Sequence, residues 1–339
     1  MIIAGDIGGT KTHLALFSVD GESYEYHCLG TYPSQEYSDL RTIVLQFIND
    51  HKIKKISYAC FAVAGPVQKE IVKATNLPWV IDANVLSIAC HIPHVYLLND
   101  LEANAYAIDI LDEKKIFSLH LGEDKGNRAV CSPGTGLGEA GLYWDGFTHH
   151  PFACEGGHTE LGPRNELELE LVRFLIARFG HSSYERVLSG PGIHNLYNFF
   201  KEVKHLEEPK WLQDLMNEGE DPSAVISQMG LEGKSEICTK TLDLFCSLLG
   251  AETGNLALKI MATGGVYLGG GIPPKIFNKL KEPCFIQSFI DKGRFKSFLE
   301  KIPIKLILDN KAALRGSARY CRLQIDRKES SMQLPIRER

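Results

Sequence analysis

The sequence predicts a mixed α/β protein whose two halves share one plan, and three observations carry that expectation. Strand-like apolar runs alternate with amphipathic helical stretches; a Gly-rich turn, Gly5-Asp6-Ile7-Gly8-Gly9-Thr10-Lys11-Thr12, follows an N-terminal strand; and a second, Pro133-Gly134-Thr135-Gly136-Leu137-Gly138, follows another strand further on. Strand–helix alternation builds a sheet by crossover connections, and the second turn marks a repeat of the first domain's design. With 339 residues, 44% of them hydrophobic, the chain can bury a sizeable core and is expected to form two domains.

Residues 1–4 and 14–19 are β-rich and flank the first turn, which therefore reads as a hairpin. Gly8 and Gly9 lack Cβ, so backbone N–H groups can approach an anion there, while Thr10 and Lys11 add donors and charge. Asp6 has two readings, holding water on a magnesium ion or satisfying turn amides, and on this segment alone a hairpin without a ligand stays open. Ser38 can cap a helix that places Leu40, Ile43, Val44, Phe47 and Ile48 on one face. A strand over residues 56–63 stops at Ala64-Gly65-Pro66, a short helix spans 85–90, and a strand over 95–98 ends at Asn99-Asp100. The helix over 101–111 begins at once, so Asp100 is either its N-cap or a functional carboxylate beyond a strand's carboxyl end, where ligands of α/β sheets bind.

The second half restarts with strands over 116–121 and 129–132. Helices follow, one started by Asn165 with Leu167, Leu171, Phe174 and Leu175, and a long one over 234–261. Residues 207–221 read as surface helix or loop. A strand over 266–268 runs into Gly269-Gly270-Gly271, and a strand over 302–308 precedes a helix over 311–324; from Arg327 onward the charged chain is expected to fray. Residues 136–141 match a dinucleotide fingerprint, with Glu160 near the acidic position. That fingerprint must open a helix, whereas Leu142-Tyr143-Trp144 before Asp145-Gly146 reads as strand and turn. Gly230-Leu231-Glu232-Gly233-Lys234-Ser235 fails as a P-loop, with two residues between its glycines where four are needed. Ser182-Ser183-Tyr184-Glu185 matches a capping box, which makes Glu185 a cap. Glu155-Gly156-Gly157-His158 reads as a polar turn. A zinc site drawn from His149, His150, Cys154 and His158 has one thiolate and no regular spacing, so no zinc is expected.

The net charge is −5, without a long block of either sign, which gives no electrostatic reason to expect nucleic acid or an anionic membrane surface as a partner. Nine cysteines are scattered without a CxxC pair, a pattern of reduced, buried thiols. With no apolar stretch of membrane-spanning length and no leader-like start, a cytoplasmic location and small-molecule chemistry are expected.

In order along the chain, Gly5-Asp6-Ile7-Gly8-Gly9-Thr10, Ala74-Thr75-Asn76, Leu98-Asn99-Asp100, Gly134-Thr135-Gly136-Leu137-Gly138, Glu155-Gly156-Gly157-His158, Glu185-Arg186-Val187-Leu188-Ser189-Gly190-Pro191-Gly192, Gly254-Asn255-Leu256-Ala257-Leu258, Gly264-Gly265-Val266-Tyr267-Leu268-Gly269-Gly270-Gly271 and Asp291-Lys292-Gly293-Arg294-Phe295 resemble the bacterial glucokinase family, within the hexokinase, actin and Hsp70-like ATPase superfamily. The resemblance extends from residue 3 to about residue 322. It implies an α/β, two-domain actin-like ATPase (ribonuclease H-like) fold with a central cleft. The small domain would be 1–109, completed by a C-terminal helix of about 300–322, the large domain 110–299, and the tail 323–339.

By the same resemblance the enzyme is a glucokinase, an ATP:hexose 6-phosphotransferase acting in glycolysis as a homodimer. Asp100 looks like the base that accepts the proton of the sugar 6-hydroxyl, and Asn76, Asn99, Glu155, His158 and Glu185 look like ligands of the other hydroxyls. The turns containing Asp6, Gly8, Gly9 and Thr10 and containing Gly134, Thr135, Gly136 and Gly138 resemble phosphate hairpins for ATP. The segment with Gly264, Gly265, Gly269 and Gly270 resembles the adenosine segment, and Asp6 would hold Mg²⁺ through water. Phosphoryl transfer needs positioning and charge dispersal more than covalent work, and late proton removal lets Asp100 serve with an ordinary carboxylate pKa. Domain closure would exclude water.

Two departures stand out. The Cys-rich zinc loop of related sugar kinases and repressors is missing after His158, and Lys11 replaces an Asn common in close relatives. Kinases of mannose, fructose or an N-acetylhexosamine remain alternatives, as do a sugar-sensing regulator, disfavoured by the lack of a helix-turn-helix segment, and a filament or chaperone ATPase, which has no use for the sugar-ligand blocks.

Overall fold

The computed structural model describes residues 1–20, 23–219 and 221–333. The chain divides into two compact units, the first formed by Met1–Asp112 with the segment from Asp309 onward and the second by Glu113–Leu308. The return to the first unit thus comes at Asp309 rather than near residue 300, because the strand expected over 302–308 pairs with the second unit's sheet.

In the first unit β1 (Ile2–Ile7) and β2 (Lys11–Asp20) form the N-terminal hairpin, and β3 (Ser23–Pro33) extends it. This third strand escaped the sequence reading because its alternation is blurred by charge and Tyr at a sheet edge. Helix α1 (Leu40–Asp50) is capped by Asp39, whose carboxylate accepts from the Thr42 N–H at 2.8 Å, so Asp39 and not Ser38 is the N-cap. Next come β4 (Tyr58–Val63), a small antiparallel sheet of β5 (Val67–Gln68), β6 (Ile71–Lys73) and β7 (Val80–Asp82), then α2 (Ala83–Cys90), β8 (His94–Asn99) and α3 (Asp100–Ala107). The main sheet has the order β3-β2-β1-β4-β8, with β1, β4 and β8 parallel.

Side chains of β1 alternate between two cores because successive strand residues point to opposite faces. Ile3 and Ile7 pack with Leu14, Phe61, Ile43 and Phe47, while Ile2 and Ala4 pack with Phe17, Ala62, Ala103 and Leu314. Leu314 belongs to the C-terminal helix, Ala312–Gln333, which covers the second face beside α3. Arg319 ties the two helices, pairing with Asp109 at 2.7 Å and donating to the Tyr106 carbonyl at 3.0 Å. The segment expected to fray after Arg327 continues this helix through Gln333. Its residues are good helix formers, and Arg322 meets Asp326 at 2.7 Å one turn on. Residues 334–339 of the expected tail lie outside the described residues.

The second unit repeats the plan. Strands β9 (Ile116–His120), β10 (Arg128–Pro133), β11 (Leu137–Trp144) and β12 (His149–Cys154) are followed by α4 (Glu166–Phe179), α5 (Gly190–Glu202), α6 (Lys210–Asn217), α7 (Pro222–Leu231) and α8 (Glu236–Lys259). Then come β13 (Val266–Leu268), α9 (Phe277–Leu280), α10 (Pro283–Ile290), α11 (Lys296–Leu299) and β14 (Ile304–Ile307). The sheet order is β12-β11-β10-β13-β14-β9; β10 and β11 form the hairpin, and β10, β13 and β14 run parallel as β1, β4 and β8 do. Helix α8 is buried along most of its length, with Leu242, Phe245, Leu249 and Leu256 in the second unit's core. The cysteines are free thiols, and Cys154 is exposed on edge strand β12, unlike the buried position expected of them. Among the described residues no helix is long and apolar enough to cross a membrane.

Candidate active site

In the first unit the site is assembled at the carboxyl ends of β1, β4 and β8. The turn between β1 and β2 is tight, with the Gly8 N–H donating to the Lys11 carbonyl at 3.0 Å. Ser34 fastens it from β3's side: its hydroxyl donates to the Gly8 carbonyl at 2.8 Å and lies 2.9 Å from Thr12 Oγ1. Gly9 has a second reason to be glycine besides phosphate approach, since a Cβ there would lie 2.6 Å from the Asn76 Cβ. The structure thus brings the hairpin turn and Asn76 together. Thr10 and Lys11 are both exposed.

The N-cap of α3 is Asn99, whose side-chain oxygen accepts from the N–H groups of Leu101 (2.9 Å) and Glu102 (3.4 Å) while its amide donates to the Gly65 carbonyl at 3.2 Å. Asp100 is the first helical residue rather than the cap, with Oδ1 3.0 Å from the Leu101 N–H. Asp6 lies close enough to Asp100 for the two to interact, and burial together with that neighbouring charge pushes the Asp6 carboxyl up to about 6. The Asp6 carboxylate is a hard oxygen donor of the kind that a hydrated Mg²⁺ takes, so this residue fits the ion.

In the second unit Glu185 is the hub. Its Oε2 accepts from the Leu137 N–H at 3.0 Å, and a Cβ on Gly136 would come within 2.5 Å of that oxygen. The side chain therefore reaches the second hairpin and does not close a capping box; Ser183 makes no side-chain cap, because the short turn Tyr184–Arg186 is 3₁₀ and not the start of an α-helix. His158 Nδ1 stands 3.9 Å from Glu185 Oε1. Glu155 opens the 3₁₀ turn Gly156–His158, where the His158 N–H donates to the Glu155 carbonyl at 3.1 Å. His149 and His150 are engaged elsewhere, at the Gly126 carbonyl (3.2 Å) and Asp145 (2.7 Å).

A pocket of about 860 Å³ opens beside this hairpin, lined by Gly134, Thr135, Gly190, His194, Ser223, Gln228, Gly271 and Lys275 among others. Its size and mixed lining suit a nucleoside, and the N-terminus of α5 is fastened to the hairpin, the Gly190 N–H donating to the Gly134 carbonyl at 2.8 Å while Ser189 Oγ accepts from the Gly192 N–H at 3.0 Å. Gly269 and Gly270 lie at the carboxyl end of β13, the end that leads into this pocket. Gly264 and Gly265 lie before the strand, donating to the carbonyls of Asn127 and Ala262. Three strand residues, about 10 Å of chain, separate them from the pocket, so the structure does not bring these two to it. The pocket walls from α5 and α7 were missed in the sequence; Ser189-Gly190-Pro191 and Asp221-Pro222-Ser223 are the start signals that would have located both helices.

A strand hairpin entering a mixed sheet recurs in both units, with a carboxylate at a strand-to-helix junction in the first and polar side chains beside the hairpin of the second. The Glucokinase family model matches residues 3–324. A glucokinase of Nostoc punctiforme is 37% identical over 334 residues, covering 94% of this chain and 98% of its own; one of Trichormus variabilis is 37% identical over 335 residues with the same coverage. The crystal structure of a glucokinase from an Antarctic psychrotroph aligns with a TM-score of 0.84 at 31% identity, covering 95% of this chain and 98% of that one. The chain belongs to the glucokinase family.

Proposed function

We propose that this chain transfers the γ-phosphoryl group of ATP to the 6-hydroxyl of D-glucose, giving glucose 6-phosphate and ADP. The observation that carries the roles within this reading is Asn99 capping α3, which leaves Asp100 at the first helical position beside Asp6 and the β1–β2 turn. Asp100 accepts the hydroxyl proton as the sugar oxygen bonds to phosphorus and the bond to the β–γ bridging oxygen breaks, with ADP as leaving group. Asn76, Asn99, Glu155, His158 and Glu185 orient the other hydroxyls; carboxylates suit a polyol because each accepts from hydroxyl donors, and an epimer would leave one such acceptor unpaired at about 1–3 kcal/mol. Backbone N–H groups of both glycine turns hold the phosphates, and the second unit's pocket takes the adenosine. Asp6 would hold Mg²⁺ through water, and the ion when bound supplies charge neutralisation on the phosphate oxygens. Family membership supports a homodimer working in glycolysis in the cytoplasm.

The test is initial rate with Mg-ATP on glucose, mannose, fructose and N-acetylglucosamine, for the wild type and Asp100→Asn. Glucose preference is expected, with kcat in the variant lower by about 10²–10⁴. Preference for another hexose would replace the substrate, and an active variant would remove Asp100 as base.

A further inference from the structure

Behind the sugar-side turns of the second unit lies a buried acidic pair that the reaction just described does not use. Glu139 on β11 and Glu252 on α8 are 1% and 0% exposed, and their carboxyls face each other. Two neighbouring carboxylates out of water repel, which favours one proton between the two groups. The surrounding donors decide where it sits. Glu252 Oε1 accepts from Lys259 Nζ at 3.1 Å and Oε2 from Asn255 Nδ2 at 2.8 Å, and the same Asn255 amide donates to the Tyr184 hydroxyl at 2.9 Å. Glu139 Oε1 has no partner among the described residues. Glu139, which lacks such donors, is therefore the member that holds the proton. Burial and the Glu252 charge push Glu139 up to about 8.

Each member of the pair bears on one of the turns that carry sugar ligands. The Gly156 backbone lies directly on the Glu139 carboxyl, where any Cβ would collide with Oε2; Glu155 precedes this residue and His158 follows two places on. Tyr184, joined to Glu252 through the Asn255 amide, immediately precedes Glu185. The turns are also joined to each other, the Tyr184 N–H donating to the Thr159 carbonyl at 3.0 Å.

The geometry points to Glu139 and Glu252 as a singly protonated carboxyl pair that fixes both sugar-ligand turns, which makes them positioning residues for glucose. This inference rests on the glucokinase reading above. Loss of the proton sets two buried carboxylates against each other beneath Gly156, and the turn bearing Glu155 and His158 must give way. The facing cations are Lys259 on α8 and Lys292, which donates to Asn255 Oδ1 at 2.6 Å and feels the Glu252 charge. The thiols of Cys131 on β10 and Cys154 on β12 and the Tyr184 phenol, the other titratable groups against the pair, are all raised by burial and stay neutral through pH 8.

The experiment measures KM for glucose, KM for ATP and kcat of the wild type and Glu139→Gln over a pH series from about 6.5 to about 9.5, with circular dichroism on each. The wild type is expected to hold its glucose KM up to about pH 8 and then to lose affinity by about tenfold within one further pH unit, while its ATP KM stays level. Glu139→Gln, neutral and of the same shape, should show no such alkaline rise. A variant that follows the wild-type rise, or a wild-type glucose KM that stays flat, overturns the inference. Should the variant fail to fold, the split between the two wild-type KM values decides alone. Absence of glucose turnover at pH 7 would instead sink the glucokinase reading, and this inference with it, before any pH series is run.

Discussion

Replacing Asp6 by Asn should stabilise the ligand-free protein while crippling it as an enzyme, and the stabilisation should depend on pH in a defined sense. The Asp6 carboxyl is raised from its ordinary 3.8 to about 6 by burial and by Asp100. Between those values the folded chain holds a proton that the unfolded chain has lost, so folding stability falls as pH rises through this window and stays reduced above it. At about 1.4 kcal/mol per pH unit the wild type forfeits up to about 3 kcal/mol at neutral pH. Asn cannot ionise. Near pH 4 the two proteins should therefore differ little, whereas above pH 6 the variant should melt several degrees higher, on a scale of about 2–4 °C per kcal/mol. The assay is thermal unfolding across this pH range in a chelator, because a bound cation would favour ionised Asp6 and narrow the gap. A difference in Tm that is the same at pH 4 and pH 8, or a variant less stable than the wild type at pH 8, would refute the reasoning. Turnover with Mg-ATP should fall in the same variant.

Two further substitutions probe the second unit. Gly136→Ala places a Cβ 2.5 Å from Glu185 Oε2 and should break the Leu137–Glu185 hydrogen bond; with bonds to charged groups at about 1.5–3 kcal/mol, steady-state kinetics should show glucose KM raised about tenfold or more. Ala224→Trp on α7 fills the second unit's pocket and should raise KM for ATP by about tenfold with glucose KM unchanged; an unaltered ATP KM would place the nucleoside elsewhere.

Much of the fold was legible because its strongest signals are local. The buried strands β1, β4, β8 and β10, the face of α1 and the Asn165 cap of α4 each follow from periodicity and capping within a few residues. Edge strands β3 and β12 and the small sheet of β5, β6 and β7 escaped because their signal is weak where packing is one-sided, whereas α5 and α7 escaped although their start signals at Ser189 and Asp221 are present. The capping box at Ser182 misled for a related reason, since the residue types fit a cap while the Glu185 side chain had a better partner 48 positions away in sequence.

By itself the sequence determined the two glycine turns, the strand-to-helix junction at Asn99-Asp100 and the order of the blocks that identify the family, because these depend on residue type and spacing along the chain. Only the tertiary structure decided that Asn99 rather than Asp100 caps α3, that Gly9 is held by Asn76, that Gly264 and Gly265 stand at the far end of β13 from the pocket, and that Glu139 meets Glu252 beneath Gly156. Each of these is a contact between segments distant in sequence or a choice among adjacent side chains, and its free energy comes from desolvation and hydrogen-bond partners that exist only once the chain has folded.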